Sequence, residues 1–208
     1  MSTPPKPAPE EELWRTEPLR ERSDSARARQ RILRAARRVI ETEGQATFTM
    51  DRVAAVANVG KGTIFRRFGD RAGLVSALLD DYLREFYAAI ESGPPPLGPG
   101  APARDRLEAY FIAAIRLQYE NPVFATTAQM TQAQHAAAAF GPLHDHIASL
   151  LQEIDLEGDI GILTTMLLQT VSPAALSAQF ELRGEKLDDV LDSIRILLGH
   201  ITSPASSP

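Results

Sequence analysis

The sequence predicts an all-α fold, and three observations predict it. Apolar residues recur at helical spacing in one segment after another along the 208-residue chain. No run alternates apolar and polar residues with a period of two, and no Asn-Gly pair marks a hairpin. Glycines and prolines cluster between the periodic segments, where chain breaks are needed. Hydrophobic residues make up 44% of the chain, enough to build a sizeable core and too many for wholesale disorder.

Residues 1–18 hold five prolines and no periodicity, and read as a flexible tail; Trp14 within it is an anchor for a partner or an unstructured residue. The first helix is expected from about Ser25 to Glu43. Ile32, Leu33, Ala36, Val39 and Ile40 form its apolar face, and Arg27, Arg31, Arg34 and Arg38 lie on the opposite side. Arg27 and Arg31, nearest its start, are the better contact candidates, while Arg34 and Arg38 read equally as contacts or as solvated surface. Gly44 is a C-terminal stop.

The next stretch is short and dense in signals. Thr49 is a good N-cap, Phe48 and Val53 make a hydrophobic staple around it, and Asp51 suits the helix dipole. A helix over Met50–Ala57 follows, and Asn58 suits a left-handed terminal position. Val59 is a single apolar residue in the turn, Gly60 is the next cap, and a second helix runs Lys61–Phe68 with Ile64 and Phe68 facing inward. Two short helices joined by a tight turn with one apolar plug are a helix-turn-helix. The second helix of such a motif places its first residues against base edges in the major groove. Lys61, Gly62, Thr63, Phe65, Arg66 and Arg67 are therefore candidate contacts with double-stranded operator DNA, with Thr49 and Arg71 flanking them. Phe65 either stacks on DNA or covers an edge of the core.

Beyond this point Leu74, Leu78, Leu79, Tyr82, Phe86 and Ile90 mark a helix, and the Gly/Pro stretch from Ser92 to Pro102 ends it as a loop, placed where slack would help motion. Leu107, Tyr110, Phe111, Ala114 and Leu117 mark the next, stopped by Asn121-Pro122. A helix over 122–139 is expected to break at Gly141-Pro142. Leu143, Ile147, Leu150, Leu151 and Ile154 make another. The last two, about 159–182 with a kink or break at Ser172-Pro173 and about 186–201, are apolar on more than one face. That excess, with the need to read two half-sites, points to a homodimer through Leu187, Val190, Leu191, Ile194, Leu197 and Leu198. The expected total is about nine helices.

Charge divides the chain. Residues 19–71 carry 13 Lys/Arg against 6 Asp/Glu, a net of +7, whereas residues 72–208 carry 7 against 17, a net of −10. The pattern fits a polyanion-binding domain at 19–71 joined to a domain at 72–208 that avoids polyanions. With no cysteine there are no disulfides and no cysteine-ligated zinc. The N-terminus lacks the apolar core of a secretory signal, and no stretch reaches the roughly 18 consecutive apolar residues of a membrane span, so the protein reads as soluble and cytoplasmic with no membrane partner.

From Arg27 to Leu78 the sequence resembles the tetracycline-repressor (TetR) family of bacterial regulators. The family pattern around the turn is met by Thr49, Val53, Ala54, Ala57, Val59, Gly62, Thr63, Ile64, Phe68 and Leu74. Asn58 replaces the turn glycine and Gly60 the serine cap. Phe65 replaces a tyrosine whose hydroxyl family members use on the DNA backbone. Arg67 and Arg71 stand where His and Lys are usual. The resemblance implies a repressor that a small-molecule effector releases from its operator by moving the helix that starts near Arg71.

The effector site is the less defined part. Thr126, Thr127, Gln129 and Met130 sit in a helix that mixes polar and small apolar residues, which suits a cavity wall or an exposed helix, and Tyr110, Arg116 and Gln169 are further candidates. His144 and His146 are two apart on one helix and do not face each other, so with His135 they make no metal site. Asp155, Glu157 and Asp159 read as a solvated helix start. No phosphate loop, nucleophile elbow or nucleophile–base pair is visible, and nothing calls for a cofactor or marks an enzyme. Two alternatives stay open: a helical DNA-binding or interaction module without ligand control, and a small all-helical enzyme.

Overall fold

The computed structural model describes residues 17–124 and 135–203. The expectations for Trp14, Thr126, Thr127, Gln129 and Met130 lie outside them. The described residues are helical, with no strand among them, and fall into two compact units that divide after Leu74.

The first unit holds α1 (Glu17–Glu43), a short 3-10 turn (Gln45–Thr47), α2 (Met50–Ala57) and α3 (Lys61–Phe68). Helix α1 starts at Glu17, earlier than the periodicity predicts. Pro18 falls in its first turn, where proline's missing N–H removes no intrahelical bond. Ile32, Leu33, Ala36 and Val39 of α1 are fully buried, together with Val53, Ile64 and Leu74. Each such aliphatic side chain larger than alanine contributes about 1.5–3 kcal/mol when buried. Glu43 and Arg52 clamp α1 to α2 through two bonds of 2.6 and 2.7 Å.

Helix α4 (Arg71–Ser92) begins in the first unit and ends in the second. The second unit adds α5 (Ala103–Glu120), α6 (His135–Glu153), α7 (Ile160–Thr170), α8 (Pro173–Ser177), a single π turn (Ala178–Leu182) and α9 (Leu187–Thr202). Its core joins Leu107, Phe111 and Ile115 of α5 to Ile147, Leu150 and Leu151 of α6, Leu167 and Leu168 of α7, and Leu191, Ile194 and Leu198 of α9.

One expectation is corrected here. Helix α6 runs through Gly141-Pro142 instead of breaking. Pro142 removes one ladder bond, but the apolar face it interrupts is anchored by Ile147, Leu150 and Leu151, and packing outweighs local preference. The 93–102 loop carries contacts of its own. Gly98 is buried, its amide donates to the Pro94 carbonyl at 3.1 Å, and a Cβ there would stand 2.0 Å from the Gly93 carbonyl oxygen. Leu97 packs on the core of the unit.

The segment Ile160–Leu182 is 23 residues long with mean hydropathy 1.4, long and apolar enough to cross a bilayer by length and composition. Within it Thr164, Leu167, Leu168, Val171 and Leu176 are buried in the second unit, and the helix breaks at Ser172-Pro173, the site the sequence marked.

Candidate nucleic-acid interface

Local chemistry shapes the helix-turn-helix. The Thr49 hydroxyl accepts from the Arg52 amide at 3.1 Å and caps α2. Asn58 takes the left-handed conformation at φ 52°, which lets the Val59 amide reach the Ala54 carbonyl at 3.0 Å. Val59 is half-buried in the turn, and extended Gly60 opens α3. Ile64 is fully buried and Phe68 half-buried, which fixes the rotation of α3. The opposite side of α3 therefore faces out: Lys61, Gly62, Phe65 and Arg66 are exposed, and Thr63 is half-buried.

This surface suits close contact with a duplex. A Cβ built on Gly62 meets nothing within 4 Å, so the backbone there is open to an approaching partner. Phe65 is 42% exposed, uncommon for an aromatic ring in a folded unit, and it does not cover the core. The Lys61 ammonium lies 5.7 Å from the centre of that ring and 2.8 Å from Oδ1 of Asp51. Arg27 and Arg31 are exposed on α1, as are Arg34 and Arg38.

Two of the arginines are held inside the unit. The Arg67 guanidinium donates to the Ser25 carbonyl and to its Oγ, tying α3 to α1. Arg71 donates from Nε to the Phe48 carbonyl at 3.2 Å and lies over the Phe48 ring. Both are also candidate DNA contacts; one guanidinium nitrogen of each bonds within the unit, and a guanidinium has further N–H donors to offer a phosphate. Sequence reasoning also missed the Glu43–Arg52 clamp, in which the arginine's hydrogen bonds hold the Glu43 carboxyl below its ordinary range. These partners are 9, 23 and 42 residues apart, beyond any helical spacing rule.

In the second unit, Tyr110 is 2% exposed and rests against Phe86, Phe111 and His146. Burial pushes its phenol pKa up. Arg116 and Gln169 are exposed on the outer sides of α5 and α7. A half-open cleft of about 440 Å³ is lined by Ile115, Leu176, Arg183, Asp189, Ser193 and Leu197 among others, and includes none of these three. Of the residues expected at a dimer face, Leu191, Ile194 and Leu198 are instead buried in the unit's own core, because one side of α9 packs on α5. Leu187 and Val190 are half-buried. Leu197 is exposed, as are Ile162, Met166 and Ile196. Among the described residues no group of His, Asp or Glu is arranged to hold a metal.

Residues 32–78 match the family model of bacterial regulatory proteins, tetR family. Over those residues the chain is similar to the TetR family. A curated relative, the DNA-binding transcriptional repressor TetR of Mycobacteroides abscessus, is 40% identical over 55 residues. That match spans 26% of this chain and 29% of the relative's length. Solved structures match over most of their length. A TetR-family transcriptional regulator from Rhodococcus sp. superposes with a TM-score of 0.62 at 20% identity, covering 85% of this chain and 100% of that one. The fatty acid degradation regulator FadR of Bacillus halodurans gives 0.58 at 15% identity, over 87% and 97% of the chains. The Thermus thermophilus FadR repressor, solved with lauroyl-CoA, gives 0.53 at 23%, over 86% and 98%. At these identities the likeness shows a shared fold. The fold shared with them is an N-terminal helix-turn-helix domain followed by a helical C-terminal domain.

Proposed function

We propose that this protein is a cytoplasmic transcriptional repressor that binds operator DNA as a homodimer and leaves it when a small-molecule effector binds residues 75–208. The outward face of α3 carries the DNA part of the reading. Lys61, Gly62, Thr63, Phe65 and Arg66 sit together on it, within a segment of net charge +7. Selection from a randomised duplex library, followed by titration of the selected site, tests the reading. The expected result is a two-fold-related pair of half-sites bound far more tightly than unselected DNA. Equal affinity for all sequences would overturn it.

Two buried nitrogens support the effector part. Arg106 Nε on α5 and His146 Nε2 on α6 are both enclosed and have no hydrogen-bond partner. A buried polar nitrogen without a partner costs about 1–3 kcal/mol, and a polar group on a bound molecule, an acceptor for Arg106 Nε and either a donor or an acceptor for His146 Nε2, would remove that cost. The Thermus FadR, which shares the fold, was solved with lauroyl-CoA, and that supports a small-molecule effector here. Helix α4 belongs to both units and is the element through which binding would reach α3. A metabolite screen by thermal shift, with hits tested for release of the selected duplex, checks this. A library in which nothing raises Tm while DNA binding persists would favour a regulator without ligand control.

Dimerisation is supported by exposed apolar side chains. Ile162 and Met166 lie one turn apart on α7 and are 59% and 64% exposed; Ile196 and Leu197 on α9 are 60% and 39% exposed. Such a group is unusual for a surface facing only water.

A further inference from the structure

Asp51 is out of place on a surface built for a polyanion. It sits in the first turn of α2, exposed, beside the start of α3. Its two carboxylate oxygens stand 2.8 and 2.9 Å from the Lys61 ammonium. The Phe65 ring also contacts Lys61, its centre 5.7 Å from Nζ. An acidic residue in the first turn is favoured by the dipole of α2. That preference does not require the carboxylate to reach across to the next helix and hold the leading side chain of its outward face.

An ionised carboxylate has no proton to donate, so against a phosphate it only repels. The donors that a duplex offers in its major groove are the exocyclic amines, cytosine N4 and adenine N6. We propose that Asp51 and Lys61 act as one unit that reads a single G·C base pair, Lys61 donating to guanine and Asp51 accepting from cytosine N4. This rests on the reading of α3 as the DNA-contacting helix.

The geometry of the two edges matches. In a G·C pair, guanine O6 and cytosine N4 are hydrogen-bonded to each other, so they stand about 2.9 Å apart. The Lys61 nitrogen and the Asp51 oxygen are 2.8 Å apart. Two side-by-side hydrogen bonds therefore form without separating the protein pair. The ammonium has three donors; when one is shared between the two Asp51 oxygens, two are left for O6 and N7 of guanine. The carboxylate oxygens keep lone pairs for N4.

The same logic ranks the other bases. A T·A pair offers O4 to the lysine and N6 to the aspartate, but the thymine methyl lies where guanine N7 would take the second lysine bond. The reversed pairs, C·G and A·T, put an amine against the ammonium and an acceptor oxygen against the carboxylate. The expected order at this position is G·C, then T·A, then the two reversed pairs.

The test compares the full-length protein with Asp51→Ala and Lys61→Ala in selection from a randomised duplex library and in titration of four duplexes that differ only at the assigned pair. Both residues are exposed, and circular dichroism verifies that each variant is folded. Wild type is expected to prefer G·C over the reversed pairs by about 5- to 150-fold. Each substitution is expected to reduce that preference at the same base pair and nowhere else. Relaxation at different positions, an unchanged preference in Asp51→Ala, or a uniform gain in affinity for every sequence would each overturn the paired reading. The last would mean that Asp51 only repels the backbone. If wild type itself selects no sequence, the DNA reading fails before this one is reached.

Discussion

The Arg71 guanidinium donates from Nε to the carbonyl oxygen of Phe48 at 3.2 Å and lies 5.5 Å from the centre of the Phe48 ring. One side chain at the start of α4 thus fixes the residue that precedes the cap of α2. A hydrogen bond of this kind is worth about 0.5–1.5 kcal/mol and a cation–π contact about 0.5–1 kcal/mol. Arg71→Ala is therefore expected to destabilise the protein by about 1–2 kcal/mol in urea unfolding. Arg71→Lys, which keeps the charge but lacks the guanidinium Nε–H, is expected to recover only part of it.

Gly62 in α3 and Gly73 in α4 should respond in opposite directions. A Cβ on Gly73 would stand 2.0 Å from the Phe68 carbonyl oxygen, a backbone atom that cannot swing away. Gly73→Ala is expected to cost about 1–3 kcal/mol and lower Tm. A Cβ on Gly62 meets nothing. Gly62→Ala is expected to raise Tm, since alanine is favoured in a helix by up to about 1 kcal/mol, while weakening operator binding through the methyl added to the outward face.

Salt separates the arginines. If exposed Arg27, Arg31 and Arg66 each neutralise one phosphate per subunit, log K should fall against log salt with a slope of about −5 for the dimer, from about −0.9 per phosphate. Arg66→Ala is expected to flatten that slope by about 2, one unit per half-site. Arg67→Ala should change it less, because its guanidinium is bonded to Ser25. Anisotropy titrations across ionic strength measure both; equal slopes for wild type and Arg66→Ala would remove Arg66 from the contact set.

Assembly and folding can be told apart on α7 and α9. Met166→Glu and Ile196→Glu are expected to give folded monomers at micromolar concentration in light scattering. Leu191→Glu, at a position 1% exposed inside the unit, is expected to unfold the protein instead. A dimer mass for the Met166→Glu, Ile196→Glu double variant would move the interface elsewhere.

The His146 ring should make stability depend on pH. Burial, and then the nearby charge of Arg106, lower its pKa from 6.5, so the fold accepts the neutral ring. As pH falls below about 6.5 the unfolded chain binds a proton that the folded chain resists. Stability is then lost until the folded-state pKa is passed. Urea unfolding at about pH 7.5 and about pH 5.5 should show a smaller drop for His146→Gln than for wild type. Equal drops would place the acid sensitivity in other groups.

The sequence by itself determined whatever depends on near neighbours. The Thr49 cap, the left-handed Asn58, the Val59 plug and the inward Ile64 each involve residues within a few positions of one another, so spacing and side-chain chemistry suffice to read them. The break at Ser172-Pro173 belongs to the same class, and so does the division of charge along the chain. Tertiary structure decided what depends on distant partners. Lys61 meets Asp51 across the turn, Arg71 meets Phe48, and Arg67 meets Ser25, and no helical period links these pairs. It also decided which apolar side of α9 is core. Periodicity marks Leu191, Ile194, Leu197 and Leu198 alike, but α5 covers three of them and leaves Leu197 exposed. A helix that is apolar on more than one side carries no local signal of which side its own domain will bury; that depends on where the neighbouring helix packs.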